Sequence, residues 1–72
     1  MEHTVKAFEE DITRLRGLVA EMGGLAELSV QESLDAIVNG DEDLGNRVIA
    51  RDKEIDALEM EIDRLAVRTI AL

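Results

Sequence analysis

The chain has 72 residues and a formal net charge of −9 at pH 7, so it holds at most one domain and has a strongly acidic surface. Phosphate backbones and anionic lipids repel such a surface, which excludes nucleic acids and membrane surfaces as direct partners. The absence of Cys excludes disulfides and thiolate metal sites. No uncharged apolar run approaches the length of a membrane span, and the first residues do not resemble a signal peptide.

The first predicted element is a helix over residues 4–39, because apolar residues recur at intervals of three and four. These residues are Val5, Phe8, Ile12, Leu15, Val19 and Met22. Beyond Met22 the spacing comes closer to four, which predicts a changed packing face; the apolar positions there are Ala26, Val30, Leu34 and Ile37. Gly23-Gly24 lies at the change, either as a tolerated weak spot or, as we favour, where another backbone approaches closely.

A turn is predicted at residues 39–41, and a second helix at residues 42–72. Gly40 suits the left-handed position that ends a helix, and Asp41 is a good N-cap for the next one. The short turn requires the helices to be antiparallel. The second helix carries a heptad seam, which consists of Leu44, Val48, Arg51, Ile55, Leu58, Ile62, Leu65, Thr69 and Leu72. Because the sequence stops on a seam residue, we expect a fragment of a longer protein.

A second stripe runs beside this seam and is rich in carboxylates. It consists of Ile49, Asp52, Asp56, Glu59, Asp63, Ala66 and Ile70. The spacing alone favours a solvated acidic face. The alternative is a cation site for Mg²⁺, Ca²⁺, Mn²⁺ or iron, since carboxylates one turn apart can converge on one ion. No His other than His3 is present to serve as a base or ligand, so we predict no enzymatic activity.

Several segments together resemble the N-terminal part of the PhoU family. They are Phe8-Glu9-Glu10, Leu15-Arg16-Gly17-Leu18, Met22-Gly23-Gly24, Ala36-Ile37-Val38 and the run from Ala50 to Glu59. The run Asp-Lys-x-Ile-Asp-x-Leu-Glu is the most specific of them. The resemblance implies a cytoplasmic, usually dimeric protein made of two three-helix repeats, of which this chain supplies the first two helices.

The same resemblance implies a function. The family consists of negative regulators of the phosphate-starvation response, which are thought to connect a phosphate transporter ATPase to a sensor histidine kinase. A Glu/Asp-x-x-x-Asp motif in each repeat is associated with metal ions, and Asp52 and Asp56 match it. Glu59 and Asp63 extend the predicted metal site by helical spacing alone.

The sequence thus predicts an all-α helical hairpin that forms a bundle by oligomerisation. A dimer is expected, either of two hairpins or with helices exchanged between chains. The predicted packing and oligomer residues are Phe8, Ile12, Leu15, Val19, Met22, Val48, Ile55, Leu58, Ile62 and Leu65. The function predicted is that of a PhoU-like regulator, and the alternative is a plain oligomerisation module without a ligand.

Overall fold

The computed structural model describes residues 2–71 as two helices, α1 (Glu2–Asn39) and α2 (Glu42–Ala71). Ion pairs join Asp11 to Arg68 and Glu32 to Arg51, so the helices run antiparallel. At a rise of about 1.5 Å per residue, the 38 residues of α1 account for the longest dimension of the molecule, 57 Å. The all-α class and the helical hairpin are confirmed, and Leu72 lies outside the described residues.

The turn between the helices consists of one left-handed residue and an N-cap. Gly40 has φ of +62°, and the amide of Asp41 donates a hydrogen bond of 2.9 Å to the carbonyl of Ala36. This is the Schellman arrangement that ends a helix. Asp41 in turn caps α2, because its side-chain Oδ1 accepts a hydrogen bond of 3.0 Å from the amide of Leu44.

The α2 half of the interface follows the heptad seam of the sequence. Each described seam residue is half-buried or buried, and these are Leu44, Val48, Arg51, Ile55, Leu58, Ile62, Leu65 and Thr69. Leu65 and Thr69 are the most enclosed of them. The α2 residues that lie between seam positions are exposed, apart from a few at the edges of the seam.

The α1 half of the interface is a continuous heptad row with polar members. It consists of Asp11, Leu15, Leu18, Met22, Leu25, Ser29, Glu32 and Ala36, all half-buried or buried. The row keeps intervals of three and four throughout, so the predicted change of packing face after Met22 does not occur between the two helices. Val30, Leu34 and Ile37 are all exposed, because the same face that packs α2 before Met22 continues after it.

Polar residues occupy both ends of this interface. Near the turn, Arg51 lies between Glu32, with which it forms an ion pair, and Ser29, to which its Nη1 donates a hydrogen bond of 3.5 Å. Near the open end, Arg68 donates a hydrogen bond of 2.9 Å to Asp11, whose side chain is 14% exposed. Polar groups that pair across the interface fix the register of two helices, since any slip would leave them unpaired.

The enclosed core of the hairpin is thin. Among the described residues the buried apolar side chains are Leu18, Ala36 and Leu65, and none of the large side chains is fully buried.

A Cβ added at Gly23 or Gly24 would meet nothing within 4 Å, so the close backbone approach predicted there is absent from the described hairpin. Neither helix, over the residues described, is long and apolar enough to cross a membrane.

Candidate interaction face and acidic row

The carboxylates predicted to bind a cation lie on one flank of α2, which we call the acidic row. Each member directly follows a seam residue: Asp52 follows Arg51, and Asp56 follows Ile55. One residue turns a helix by about 100°, so the row stands to one side of the interface. The full row is Ile49, Asp52, Asp56, Glu59, Asp63, Ala66 and Ile70, of which all but Ala66 are exposed.

An apolar row lies on the corresponding flank of α1, beside the interface. Several of its members directly follow residues that pack on α2, as Ile12 follows Asp11 and Val19 follows Leu18. The row consists of Val5, Phe8, Ile12, Val19, Val30, Leu34 and Ile37, which are exposed except for the half-buried Ile12. Exposure reaches 78% at Ile37.

The two rows share one side of the molecule, which we call the open face. In an antiparallel pair, a rotation of about 100° past the seam carries the flank of each helix to the same side. Contacts agree with this geometry, because Val5 and Phe8 of α1 line one shallow groove together with Thr69 and Ile70 of α2. The open face is therefore apolar along α1 and acidic along α2.

The opposite side of the hairpin has mixed charge. Arg14 pairs there with Glu61, and a shallow groove between the helices is lined by Arg14, Glu61, Arg64, Leu65 and Arg68. Leu28 is the exposed large apolar residue of α1 on this side. The two sides thus differ in chemistry, since most of the exposed large apolar residues of α1 lie on the open face.

The acidic row forms no ion pair in the described part of the chain. The three ion pairs found there use Arg14, Arg51 and Arg68, and none reaches Asp52, Asp56, Glu59 or Asp63. Arg16 follows the interface residue Leu15, so it lies on the same flank of α1 as Ile12 and Val19, and it also forms no ion pair with the acidic row. Like charges one turn apart on a helix repel, so the row costs the free hairpin a few tenths of a kcal/mol per neighbouring pair.

The fit of this row to a metal ion is incomplete within residues 4–71. Carboxylate oxygens are the donors that hard cations prefer, and Asp52 and Asp56 are one helical turn apart. However, no group of three or more acidic, His or Cys side chains in that part of the chain is placed to hold an ion. A full ligand set would have to come from outside the hairpin, and the side chain of His3 is outside the described part.

Two of the residues predicted for packing lie outside the contact between α1 and α2. Phe8 and Val19 are on the open face, whereas Ile12, Leu15 and Met22 are half-buried. On α2, Leu65 is buried, and the other four of the set, Val48, Ile55, Leu58 and Ile62, are half-buried. Sequence reasoning missed Asp11 and Glu32 as interface residues, because the signal for each is a matching Arg on the other helix, Arg68 for Asp11 and Arg51 for Glu32.

Comparison with known proteins identifies similar sequences along the whole hairpin. The model of the PhoU domain family matches residues 19–72. A phosphate-specific transport system accessory protein PhoU homolog of Zymomonas mobilis is 49% identical over 70 residues, which cover 97% of this chain and 30% of the relative. A homolog of the same name in Caulobacter vibrioides is 44% identical over 71 residues, covering 99% of this chain and 31% of that protein.

The similarity extends to relatives of lower identity. The phosphate-specific transport system accessory protein PhoU of Escherichia coli is 36% identical over 70 residues, covering 97% of this chain and 29% of that protein. The chain spans about 30% of the length of the curated relatives it matches. No solved structure matches the chain.

Proposed function

The chain belongs to the PhoU domain family, and on that premise we propose that it is part of an accessory regulator of phosphate transport that acts through protein contacts. The observation that carries the proposal is the open face, an exposed apolar row beside an unpaired acidic row. An exposed apolar surface of this length marks a place where a further helical surface packs.

The proposed partners are a phosphate transporter ATPase and a sensor histidine kinase, and the proposed place of action is the cytoplasm. The proposed outcome of these contacts is negative regulation of the phosphate-starvation response. We propose a regulatory rather than a catalytic role, since the relatives are named accessory proteins of phosphate transport.

A capture experiment tests the proposal. The tagged chain is incubated with the purified transporter ATPase or the sensor kinase, with and without inorganic phosphate, and we expect retention that depends on phosphate. Leu34→Asp, which places a charge on the open face, should abolish retention, whereas Leu28→Asp on the opposite side should preserve it. Equal retention of both variants, or no retention of the parent chain, would contradict the proposed role.

The second candidate function is a plain helical oligomerisation module without a ligand, which the thin core favours. Homo-oligomerisation is itself part of our proposal, with a second copy covering the open face when no other partner is present. The two functions differ in the capture experiment, since a plain module retains neither the ATPase nor the kinase at any phosphate concentration.

Cation binding by Asp52 and Asp56, with Glu59 and Asp63 as further ligands, is also a proposal. Metal-stripped chain should melt at a higher temperature in the presence of Mn²⁺, Mg²⁺ or Fe²⁺, because a divalent ion removes the repulsion within the acidic row and binds only the folded form. Circular dichroism measures the shift. An equal shift in Asp52→Asn/Asp56→Asn, or none in the parent, would show that the hairpin has no specific site there.

A further inference from the structure

The turn between the helices carries the one Asn-Gly pair of the chain, Asn39-Gly40. Both residues are exposed, Asn39 as the last residue of α1 and Gly40 as the left-handed residue that follows it. An asparagine side chain is thermolabile, because its carbon Cγ can be attacked by the backbone nitrogen of the next residue. Glycine hinders this attack least, since it has no Cβ beside that nitrogen. The turn therefore joins the two halves of one intramolecular reaction.

The surroundings of Gly40 leave its amide nitrogen accessible. Among the described residues, hydrogen bonds at the turn are donated by the amides of Asp41, Leu44 and Gly45. The amide of Gly40 donates none of these bonds. A Cβ added to Gly40 would meet nothing within 4 Å, so no packed side chain covers this part of the turn. Asn39 ends α1, and the last turn of a helix opens more readily than its interior because its carbonyl groups lack intrahelical partners.

One hydrogen bond opposes the reaction while the turn is closed. Nδ2 of Asn39 donates a hydrogen bond of 2.9 Å to the carbonyl of Asp35, which holds the carboxamide back along α1. The contact is exposed, so water competes for both of its groups. The attack on Cγ therefore follows the opening of the last turn of α1, and its rate reports on that opening.

We propose that Asn39 is a site of spontaneous deamidation, which replaces the turn by a longer one as the protein ages. The nitrogen of Gly40 forms a bond to Cγ of Asn39, the bond from Cγ to Nδ2 breaks, and Nδ2 leaves as ammonia with the proton that Gly40 loses. Water then opens the five-membered succinimide that results. Opening at Cγ gives aspartate, whereas opening at the backbone carbonyl gives isoaspartate, whose backbone runs through Cγ and is longer by one carbon atom.

The products weaken the turn by two routes. Either product loses the hydrogen bond to Asp35 and places a negative charge at the end of α1, where the helix dipole is already negative. Isoaspartate also adds a backbone carbon between Ala36 and Asp41, whose hydrogen bond of 2.9 Å closes the end of α1. This displaces Asp41, which is also the N-cap of α2. The isoaspartate form should therefore hold its two helices together less well than the aspartate form.

Asn46 is a matched internal control for Asn39. It is the other asparagine of the chain, and it is exposed as well. It lies inside α2 and is followed by Arg47, whose amide belongs to the helical hydrogen bonding and whose side chain hinders the attack. Asn39 should therefore react under conditions in which Asn46 does not.

Incubation of the folded 72-residue chain at mildly alkaline pH, which deprotonates the attacking nitrogen more often, tests the proposal. Tandem mass spectrometry measures deamidation at each asparagine, and labelling by a protein isoaspartate methyltransferase measures isoaspartate. We expect Asn39 to deamidate at least about tenfold faster than Asn46, because only Asn39 precedes a glycine. Asn39→Gln should abolish the reaction, whereas Asn46→Gln should leave it unchanged.

A stability measurement separates the added charge from the added backbone carbon. Freshly prepared Asn39→Asp carries the charge alone. The isoaspartate form, isolated by chromatography, should melt at a lower temperature than Asn39→Asp, and both should melt below the parent chain. Thermal melting followed by circular dichroism gives the three temperatures.

Three results would overturn the proposal. The first is an Asn39 that stays intact, and the second is deamidation of Asn39 and Asn46 at equal rates. The third is an isoaspartate form that melts at or above the temperature of Asn39→Asp, which would show that the turn tolerates the longer backbone. The experiment contains no phosphate, transporter or kinase, so its failure is separate from failure of the proposed function.

Discussion

Arg51 and Glu32 occupy seam positions that would ordinarily be aliphatic, and they remain there as a pair. Their side chains are 15% and 22% exposed, and the Oε1 atom of Glu32 is buried with no partner in hydrogen-bond geometry, although Nη1 of Arg51 lies 2.5 Å away. Such a pair contributes little net stability, because desolvation offsets the attraction between the charges. Its effect is on specificity, since the hairpin holds one register in which both charges meet.

A double-mutant cycle tests this interpretation. Arg51→Leu should destabilise the hairpin by about 1–2 kcal/mol, because it leaves the Glu32 carboxylate half-buried without a counter-charge. Glu32→Leu/Arg51→Leu should recover the stability of the parent or exceed it, since two apolar residues then fill the seam. Urea unfolding followed by circular dichroism gives the free energies. A double variant that is less stable than either single variant would show that the ion pair itself stabilises the hairpin.

Leu58 lies at the middle of the α2 seam and tests that seam directly. Leu58→Asp places a charge in the half-buried interface and should cost about 2–3 kcal/mol of unfolding free energy. Met60, two residues away, is 61% exposed, so Met60→Asp should change stability by no more than about 0.5 kcal/mol. Both variants are compared by thermal melting. Similar melting temperatures for Leu58→Asp and the parent would mean that Leu58 is not part of the interface.

At the scale of the elements, the turn depends on the left-handed residue Gly40. Gly40→Ala should destabilise the hairpin by about 1 kcal/mol, because an L side chain is strained at φ of +62°. The same change at Gly24, which lies inside α1 with open space around it, should stabilise the hairpin by about 0.5–1 kcal/mol. Thermal melting compares the two variants. Changes of the same sign would show that backbone conformation does not govern these positions.

The two helices differ in how much of their packing could be predicted from the sequence. On α2 the aliphatic seam is the one continuous apolar row, so periodicity alone identifies it. On α1 two adjacent rows both have helical spacing. The more apolar row, which includes Phe8 and Val19, lies on the open face and not in the interface. The interface row contains Asp11 and Glu32. These carboxylates are tolerated there because they form ion pairs with Arg68 and Arg51 of the other helix. Local hydrophobicity carries no information about such cross-helix pairs.

The acidic row could likewise be predicted only in part from the sequence. Helical spacing places Asp52, Asp56, Glu59 and Asp63 on one flank, and the structure places them there, exposed. What the spacing does not provide is the position of α1, which brings an apolar row to the same side. The neighbouring apolar row is the feature that supports an interaction surface over an ordinary solvated acidic face.

For the whole molecule, the thin core and the open face have one common consequence. The hairpin encloses few side chains and leaves a long apolar row in water, so it gains free energy whenever another helical surface covers that row. The acidic row beside it repels surfaces that carry negative charge. Association of the chain with itself should therefore depend on ionic strength.

Sedimentation equilibrium tests this dependence on the isolated chain. We expect oligomers heavier than the monomer mass of 8.0 kDa at high micromolar concentration, with a dimer as the main species. Raising the NaCl concentration from 0.05 to 0.5 M should tighten the dimer severalfold, because salt screens the repulsion between the two acidic rows. Asp52→Asn/Asp56→Asn should dimerise more tightly than Glu21→Gln/Glu54→Gln at low salt, although both variants lose two negative charges. A helical monomer at every concentration and salt level would show that the open face does not pair with itself, and equal dimerisation of the two variants would place the contact elsewhere on the hairpin.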